Sequence, residues 1–198
     1  MRKPDRIEFP LQCLRDIKRW LKSADVDGVV IRGIAAGLLG TPRATHDVDV
    51  LVVIDEDAWS EFLEKARRFG FEPRIPDALD FARTHRVLLM VHGPSGWEVD
   101  VTIGSLDFER ELIARSKTVT VGRVRVPVPT PEDLIILKVI PRRANDLADI
   151  AELLHHHPRL DVGRIRRIAA DFSAFLESPE ILDDLERLLS ARRKKSKG

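Results

Sequence analysis

Residues 47–54, Asp-Val-Asp-Val-Leu-Val-Val-Ile, constrain the fold of this chain more than any other segment. β-Branched residues dominate it, so it reads as a strand from Asp47 to Ile54. Side chains at i and i+2 of a strand leave one face about 6 to 7 Å apart, so Asp47 and Asp49 point one way while Val48 and Val50 point into a core. From Leu51 onward both faces are apolar, as in a strand covered on both sides. The expected fold class is therefore α/β (α+β): a small mixed β-sheet flanked by helices, with two carboxylates at the mouth of a buried strand.

Two adjacent anions in that position repel each other and gain nothing from packing, so a cation is the natural reason for them. Hard carboxylate oxygens suit Mg²⁺ or Mn²⁺ rather than zinc. A third carboxylate is expected on a neighbouring strand, Trp97 to Ile103, where Glu98, Asp100 and Thr102 share one face and Val99 and Val101 the other. Asp100 sits deeper in that strand than Glu98 and is preferred as third metal ligand and general base. Upstream, Gly33 lies where a short strand, Val29 to Ile31, turns into a short helix, Ile34 to Leu39. Free N–H groups at a helix start bind phosphate. Arg43 and Thr45 fall within four residues of Asp47, near enough to touch a triphosphate or its metal. Alone, Asp47 and Asp49 would also suit a solvated strand start. Together with Gly33, Arg43, Thr45 and Asp100 they match phosphoryl transfer, in which positioning and charge neutralisation do most of the catalytic work.

Around this set the chain reads as an amphipathic helix from Pro10 to Lys22 and a helix with Trp59, Phe62, Leu63, Ala66 and Phe69 on one side, capped by Asp57 and closed by Gly70. Arg86 to Val91 and Trp97 to Ile103 flank the turn His92-Gly93-Pro94-Ser95-Gly96 and form an antiparallel hairpin; Thr118 to Val121 and Val124 to Val128 form a second around Gly122-Arg123. Beyond that the chain turns helical. Thr130-Pro131-Glu132-Asp133 is a well-specified helix start, and further helices are expected over 146–155, 162–175 and 179–192. The expected organisation is a catalytic domain over 1–129, a helical C-terminal region over 130–192 that closes the nucleotide site, and a disordered basic tail over 193–198.

Taken together, Arg32-Gly33, then Asp47-Val48-Asp49 fourteen residues after the glycine, and a later Asp100 resemble the polymerase-β-like nucleotidyltransferase superfamily. Within it, the stretch from Gly33 to Asp49, with its Arg43-Ala44-Thr45-His46-Asp47-Val48-Asp49 segment, resembles small proteins related to the abortive-infection type IV toxins. The resemblance covers roughly residues 28 to 152 and implies transfer of a nucleoside monophosphate from an NTP to RNA, protein or a small molecule, with an antitoxin as partner. It also implies that Lys138 contacts the nucleotide phosphates and that Asp146 orients the site or the acceptor. The residues alone leave Lys138 and Asp146 equally open to being a salt bridge between adjacent helices. Arg32 departs from the pattern, because the family usually has a small residue there. A bulky cation at that point either crowds the phosphate loop or pairs with the phosphates. The other enzyme reading is an antibiotic-modifying nucleotidyltransferase, and outside enzymes, a catalytically silent nucleotide-binding or toxin–antitoxin module.

The 33 basic and 32 acidic side chains nearly cancel, to +1, so bulk charge gives no sign of an obligate nucleic-acid coat protein. Arg164, Arg166 and Arg167 with the basic C-terminus offer a local RNA-facing patch or, more often in such helices, a solvated face. His155, His156 and His157 are consecutive, so on a helix they fan out and cannot all face one ion; a solvated helix end is the better reading. The single cysteine, Cys13, is expected on a buried helix face. With no signal-peptide core and no membrane-length apolar run, a cytoplasmic home and no membrane partner are expected.

Overall fold

The computed structural model describes residues 10–40 and 44–195, with side chains described as far as Arg192. It divides into two compact units, residues 1–34 with 43–129, and residues 35–42 with 130–198. In order the elements are α1 (Leu11–Ala24), β1 (Gly28–Ile31), α2 (Arg32–Leu39), β2 (Asp47–Val52), a 3-10 turn (Glu56–Ala58), α3 (Trp59–Arg67), β3 (Phe71–Pro73), α4 (Ala78–His85), β4 (Val87–His92), β5 (Trp97–Ile103), α5 (Asp107–Arg115), β6 (Lys117–Val121), β7 (Val124–Val128), α6 (Pro131–Val139), α7 (Ala144–His156), α8 (Val162–Phe175) and α9 (Glu180–Lys195).

The first unit is built on a five-stranded sheet in the order β1-β2-β5-β4-β3. The β2–β5 pair is parallel and the other pairs are antiparallel, so the sheet is mixed as expected. Val48, Val50 and Val52 share a fully buried face with Val99, Val101 and Ile103 of β5 and Leu88 and Met90 of β4, which is the period-2 pattern of a strand with one core side. Trp20 of α1 stacks on Phe62 of α3 with ring centroids 4.4 Å apart, and lies 5.2 Å from Phe71 of β3. Its indole N–H donates to the Phe62 carbonyl at 2.9 Å, so the one polar atom of this buried ring is satisfied. Cys13 of α1 is fully buried, and burial, aided by Asp16, pushes its thiol up to about 12, leaving it almost no thiolate at neutral pH. The β6–β7 hairpin forms its own two-stranded sheet.

Three details differ from the sequence expectations. The third helix is not capped by Asp57: the chain enters it through the 3-10 turn, in which Ala58 N–H donates to the Asp55 carbonyl at 3.1 Å, and Asp57 is exposed. A tightened first turn satisfies the orphan donors without a side chain. The short second helix starts at Arg32 rather than Ile34, because Arg32 itself makes the turn with a φ of 52°. Finally β3, α4 and α5 are additional elements. The last starts where Glu109 reaches back to the N–H groups of Ser105 and Leu106, at 2.7 and 2.9 Å.

The second unit is helical. The expected helix start is present in full: the Thr130 hydroxyl accepts from Asp133 N–H at 3.2 Å and donates to the Asp133 carboxylate at 2.8 Å, with Pro131 at the first helical position. Asp133 has no exposed surface and meets Arg164 of α8, whose Nε and Nη2 lie 3.0 and 2.9 Å from Oδ1. Arg164 is therefore neither on an RNA-facing patch nor solvated; it is 5% exposed and ties α8 to α6. Arg166 in turn is held by Glu186 of α9. The three histidines do not face one point: the His155 and His156 rings meet edge to face at 5.2 Å, His156 lies beside Glu152, and His157 is hydrogen-bonded to the Leu39 carbonyl at 2.6 Å. The last helix runs on to Lys195, three residues beyond its expected end, and residues 196–198 lie outside the described residues. No helix among the described residues is long and apolar enough to cross a membrane.

Removing one member of a buried ion pair strands the other charge. Asp133→Ala is expected to lower stability by about 3 to 5 kcal/mol, because Arg164 then loses its counter-ion, whereas removing Arg166 at the surface should cost under about 1 kcal/mol. Chemical denaturation of the two variants followed by circular dichroism checks this; equal small losses would contradict it.

Candidate active site

The parallel register of β2 and β5 sets Asp49 beside Asp100 and Asp47 beside Glu98. All four carboxylates therefore leave the sheet on the face opposite Val48 and Val50. Asp49 is 2% exposed, which is far from a solvated strand start. A carboxylate withdrawn from water to that degree needs a cation or several donors.

That cation is Arg32. Strand β1 runs antiparallel to β2 with Ile31 opposite Asp49, so the residue after Ile31 leaves the sheet directly beside the carboxylate. Arg32 adopts a φ of 52°, a left-handed conformation that costs a non-glycine residue about 1 kcal/mol. The turn brings Nη1 to 3.1 Å from Asp49 Oδ1. The partner of Arg32 in this structure is thus the Asp49 carboxylate, a contact that the sequence reading did not include. Arg32 is a counter-ion of Asp49, the second aspartate of the pair.

Arg74 plays the matching part on the other side. It follows β3, where its backbone N–H donates to the Leu89 carbonyl at 2.8 Å, and its guanidinium bridges Glu98 and Asp100 through Nη1 and Nη2. Burial raises the Asp100 pKa above the ordinary carboxylate range, Arg74 opposes that shift, and the charge of Asp47 adds to it. Asp47 and Asp100 thus feel each other's charge across the strand pair. Asp47 itself accepts from the Thr45 hydroxyl at 2.8 Å. Thr45 is held in turn against Gly33, where an added Cβ would lie 2.8 Å from Thr45 Oγ1. Gly33 is thus required for a close approach that orients Thr45 and, through it, Asp47.

The structure thus brings Gly33, Thr45, Asp47, Asp49 and Asp100 into one cluster within the first unit. Arg43 lies outside the described residues. Lys138 and Asp146 belong to the second unit, where the Lys138 ammonium, 3% exposed, sits 3.2 Å from Asp146 and 2.7 Å from Asp149. They do form a salt bridge between α6 and α7, and it is a buried one in which Asp149 is the nearer partner. Arg74 carried no signal in the sequence, and Asp149 stood in the aspartate-rich stretch after Arg142 without a role of its own. Arg74 stands alone between Pro73 and Ile75-Pro76, and Asp149 looks like any helix carboxylate.

The donor set is one that a hard divalent cation takes: three aspartates on two adjacent strands, with mutual repulsion that a dication would relieve. Each carboxylate is turned instead to Thr45, Arg32 or Arg74, and among the described residues no three His, Cys, Asp or Glu side chains converge as a group ready to hold an ion. A metal at this site would share the Asp49 and Asp100 carboxylates with the guanidinium groups of Arg32 and Arg74.

A mixed sheet carrying an Asp-x-Asp pair on one strand and a further aspartate on its parallel neighbour is the architecture of nucleotidyltransferases. The family described as nucleotidyl transferase of unknown function (DUF2204) matches residues 11–187, and the chain belongs to that family. No curated protein sequence matches the chain significantly. Similar solved structures include an antigenic nucleotidyltransferase-like protein from Paracoccidioides brasiliensis, at 17% identity and a TM-score of 0.54 over 89% of this chain and 92% of that one. The antibiotic-resistance enzyme ANT(2")-Ia, solved with adenylyl-2"-tobramycin, is similar at 12% identity and a TM-score of 0.58 over 84% of this chain and 98% of that one. The lincosamide antibiotic adenylyltransferase LnuA, solved with lincomycin, is similar at 12% identity and a TM-score of 0.51 over 75% and 98%. At these identities the likeness is one of fold.

The contact between Gly33 and Thr45 has a measurable cost. Gly33→Ala is expected to destabilise the protein by about 1 to 3 kcal/mol through overpacking. In a Thr45→Ala background that cost should fall by about half or more, because the clashing hydroxyl is gone. A double-mutant cycle by chemical denaturation measures the coupling, and strict additivity would show that the two residues do not press on each other.

Proposed function

We propose that the protein transfers a nucleoside monophosphate from an NTP to an acceptor, with Mg²⁺ or Mn²⁺ held by Asp47, Asp49 and Asp100. The observation that carries this reading is the register that places Asp49 beside Asp100 on parallel strands, with Asp47 two residues before. An acceptor oxygen would bond to the α-phosphorus as the bond to the β-phosphate oxygen breaks, pyrophosphate leaving with that electron pair. Asp100 would take the acceptor's proton and release it to water. The divalent ion would neutralise phosphate charge and orient the triphosphate. The start of α2 at Gly33, with Thr45 and Arg43, would hold phosphate oxygens. Lys138 and Asp146 join the nucleotide-binding set by the resemblance alone, and Lys138 would first have to give up Asp149. From the change of pattern near residue 130, the catalytic part would span 1–129, with the helical region 130–192 as its annex.

The likeness to abortive-infection toxins makes RNA, tRNA above all, and protein the first acceptors to test, an antitoxin the first partner to seek, and the cytoplasm the expected place of action. The fold shared with antibiotic adenylyltransferases puts aminoglycosides and lincosamides next. A silent nucleotide-binding or interaction module has one observation in its favour, the pairing of Asp49 and Asp100 with arginines. Incubation with labelled NTPs and these acceptors separates the readings.

Asp49→Asn is expected to cut NMP transfer by at least about a hundredfold while leaving the melting curve intact, since it removes charge at the reacting phosphate without changing shape. Transfer at the wild-type rate by this variant would sink the assignment.

A further inference from the structure

Arg32 and Arg74 are the least expected feature of the site, and their geometry assigns them a task. Asp49 has a side chain only 3% exposed, so its charge cannot stand alone; Arg32, 54% exposed at its own side chain, supplies the neutralisation while keeping a route to solvent. Arg32 holds this position against its own backbone preference, at a φ of 52° that glycine would adopt freely. Arg74 does the same for Asp100 and Glu98 from the opposite flank. A guanidinium fork fits phosphate as well as it fits carboxylate, and it pairs with either at similar distances.

We propose that Arg32 and Arg74 are built-in counter-ions that keep a divalent cation off Asp49 and Asp100 until a triphosphate draws the guanidinium groups away, so that metal and nucleotide bind as a pair. The inference rests on the nucleotidyl-transfer reading and deepens it. Free metal has to compete with two intramolecular cations for the same carboxylates. A metal that arrives with a triphosphate brings the arginines new anionic partners, so the exchange conserves ion pairs. In this arrangement Arg32 and Arg74 are positioning residues: they set the order in which the site fills and take no part in bond making.

Binding of Mn²⁺, followed by water-proton relaxation enhancement, tests this, because the method separates protein-bound Mn²⁺ from ion that is free or chelated in solution. The proteins are the wild type, Arg32→Gly, which suits the positive φ and should fold, and Arg74→Ala, each measured alone and with a mixture of the four α,β-methylene nucleoside triphosphates. The wild type should bind Mn²⁺ weakly alone and at least about tenfold more tightly with the nucleotides, whereas both variants should already bind Mn²⁺ alone about tenfold more tightly than the wild type. Adding Asp49→Asn to Arg32→Gly should remove the gained affinity. If the variants bind Mn²⁺ alone no more tightly than the wild type while the wild type still takes Mn²⁺ with nucleotide, the counter-ion role is wrong and the transfer reading stands. If no protein binds Mn²⁺ with or without nucleotide, the transfer reading falls and this inference falls with it.

Discussion

Burying the carboxylate of Asp49 is the constraint from which the rest of the first unit takes its form. A strand that is apolar on one face and carries a charge on the other can sit in the middle of a sheet only if something cationic is placed above it. The mixed topology provides this by putting β1 antiparallel to β2, so that the chain exits β1 beside Asp49 and delivers Arg32 there. The parallel β2–β5 pairing then brings Asp100 alongside and creates a second need for neutralisation, met by Arg74. Elsewhere in the same unit Trp20, Phe62 and Phe71 tie α1 and α3 to the edge strand β3.

The second unit meets a similar problem by a different route. Its helices bury Asp133 and Arg164 as a pair, and Lys138 between Asp146 and Asp149, inside a layer otherwise made of Leu134, Ile135, Ile136, Ile150 and Leu153. Apolar packing tolerates many sliding arrangements of neighbouring helices. Paired charges accept few, because a misplaced helix would strand a charge out of water.

What could be read from the sequence was local. The strand from Asp47, expected to Ile54 and ending at Val52, both hairpins and the helix start at Thr130 depend on alternation, turn residues and capping, all of which lie within a few positions of each other. The faces of Asp47, Asp49 and Asp100 followed from period-2 alternation, while the contact between them needed the strand order. Short elements escaped: β3 has three residues, and α4 and α5 begin without a Ser, Thr or Asn cap side chain hydrogen-bonded to the helix. The partners of charged residues escaped as well. Arg74 and Asp100 are 26 positions apart and Asp133 and Arg164 are 31 apart, and no spacing rule links such pairs. Arg32 was visible as an oddity but not as a counter-ion, since that depends on which strand lies next to β1. Arg164 looked like a surface cation on a helix whose apolar face could be counted, and Lys138 stood between a phosphate contact and a salt bridge; only the packing of neighbouring helices decides whether such a cation faces water.

The pairing of the site carboxylates also shapes how a ligand would first meet the protein. Counted among the described residues, the four carboxylates of Asp47, Asp49, Glu98 and Asp100 outnumber the two guanidinium groups of Arg32 and Arg74 that pair with them, so this group of six side chains carries a negative balance. A bare triphosphate diffusing toward it would be slowed by repulsion that dissolved salt screens. Ionic strength would then speed the encounter, the reverse of the usual electrostatic steering of phosphates into basic clefts. The traffic of ligands into this site would thus follow the composition of the surrounding solution as well as the shape of the fold.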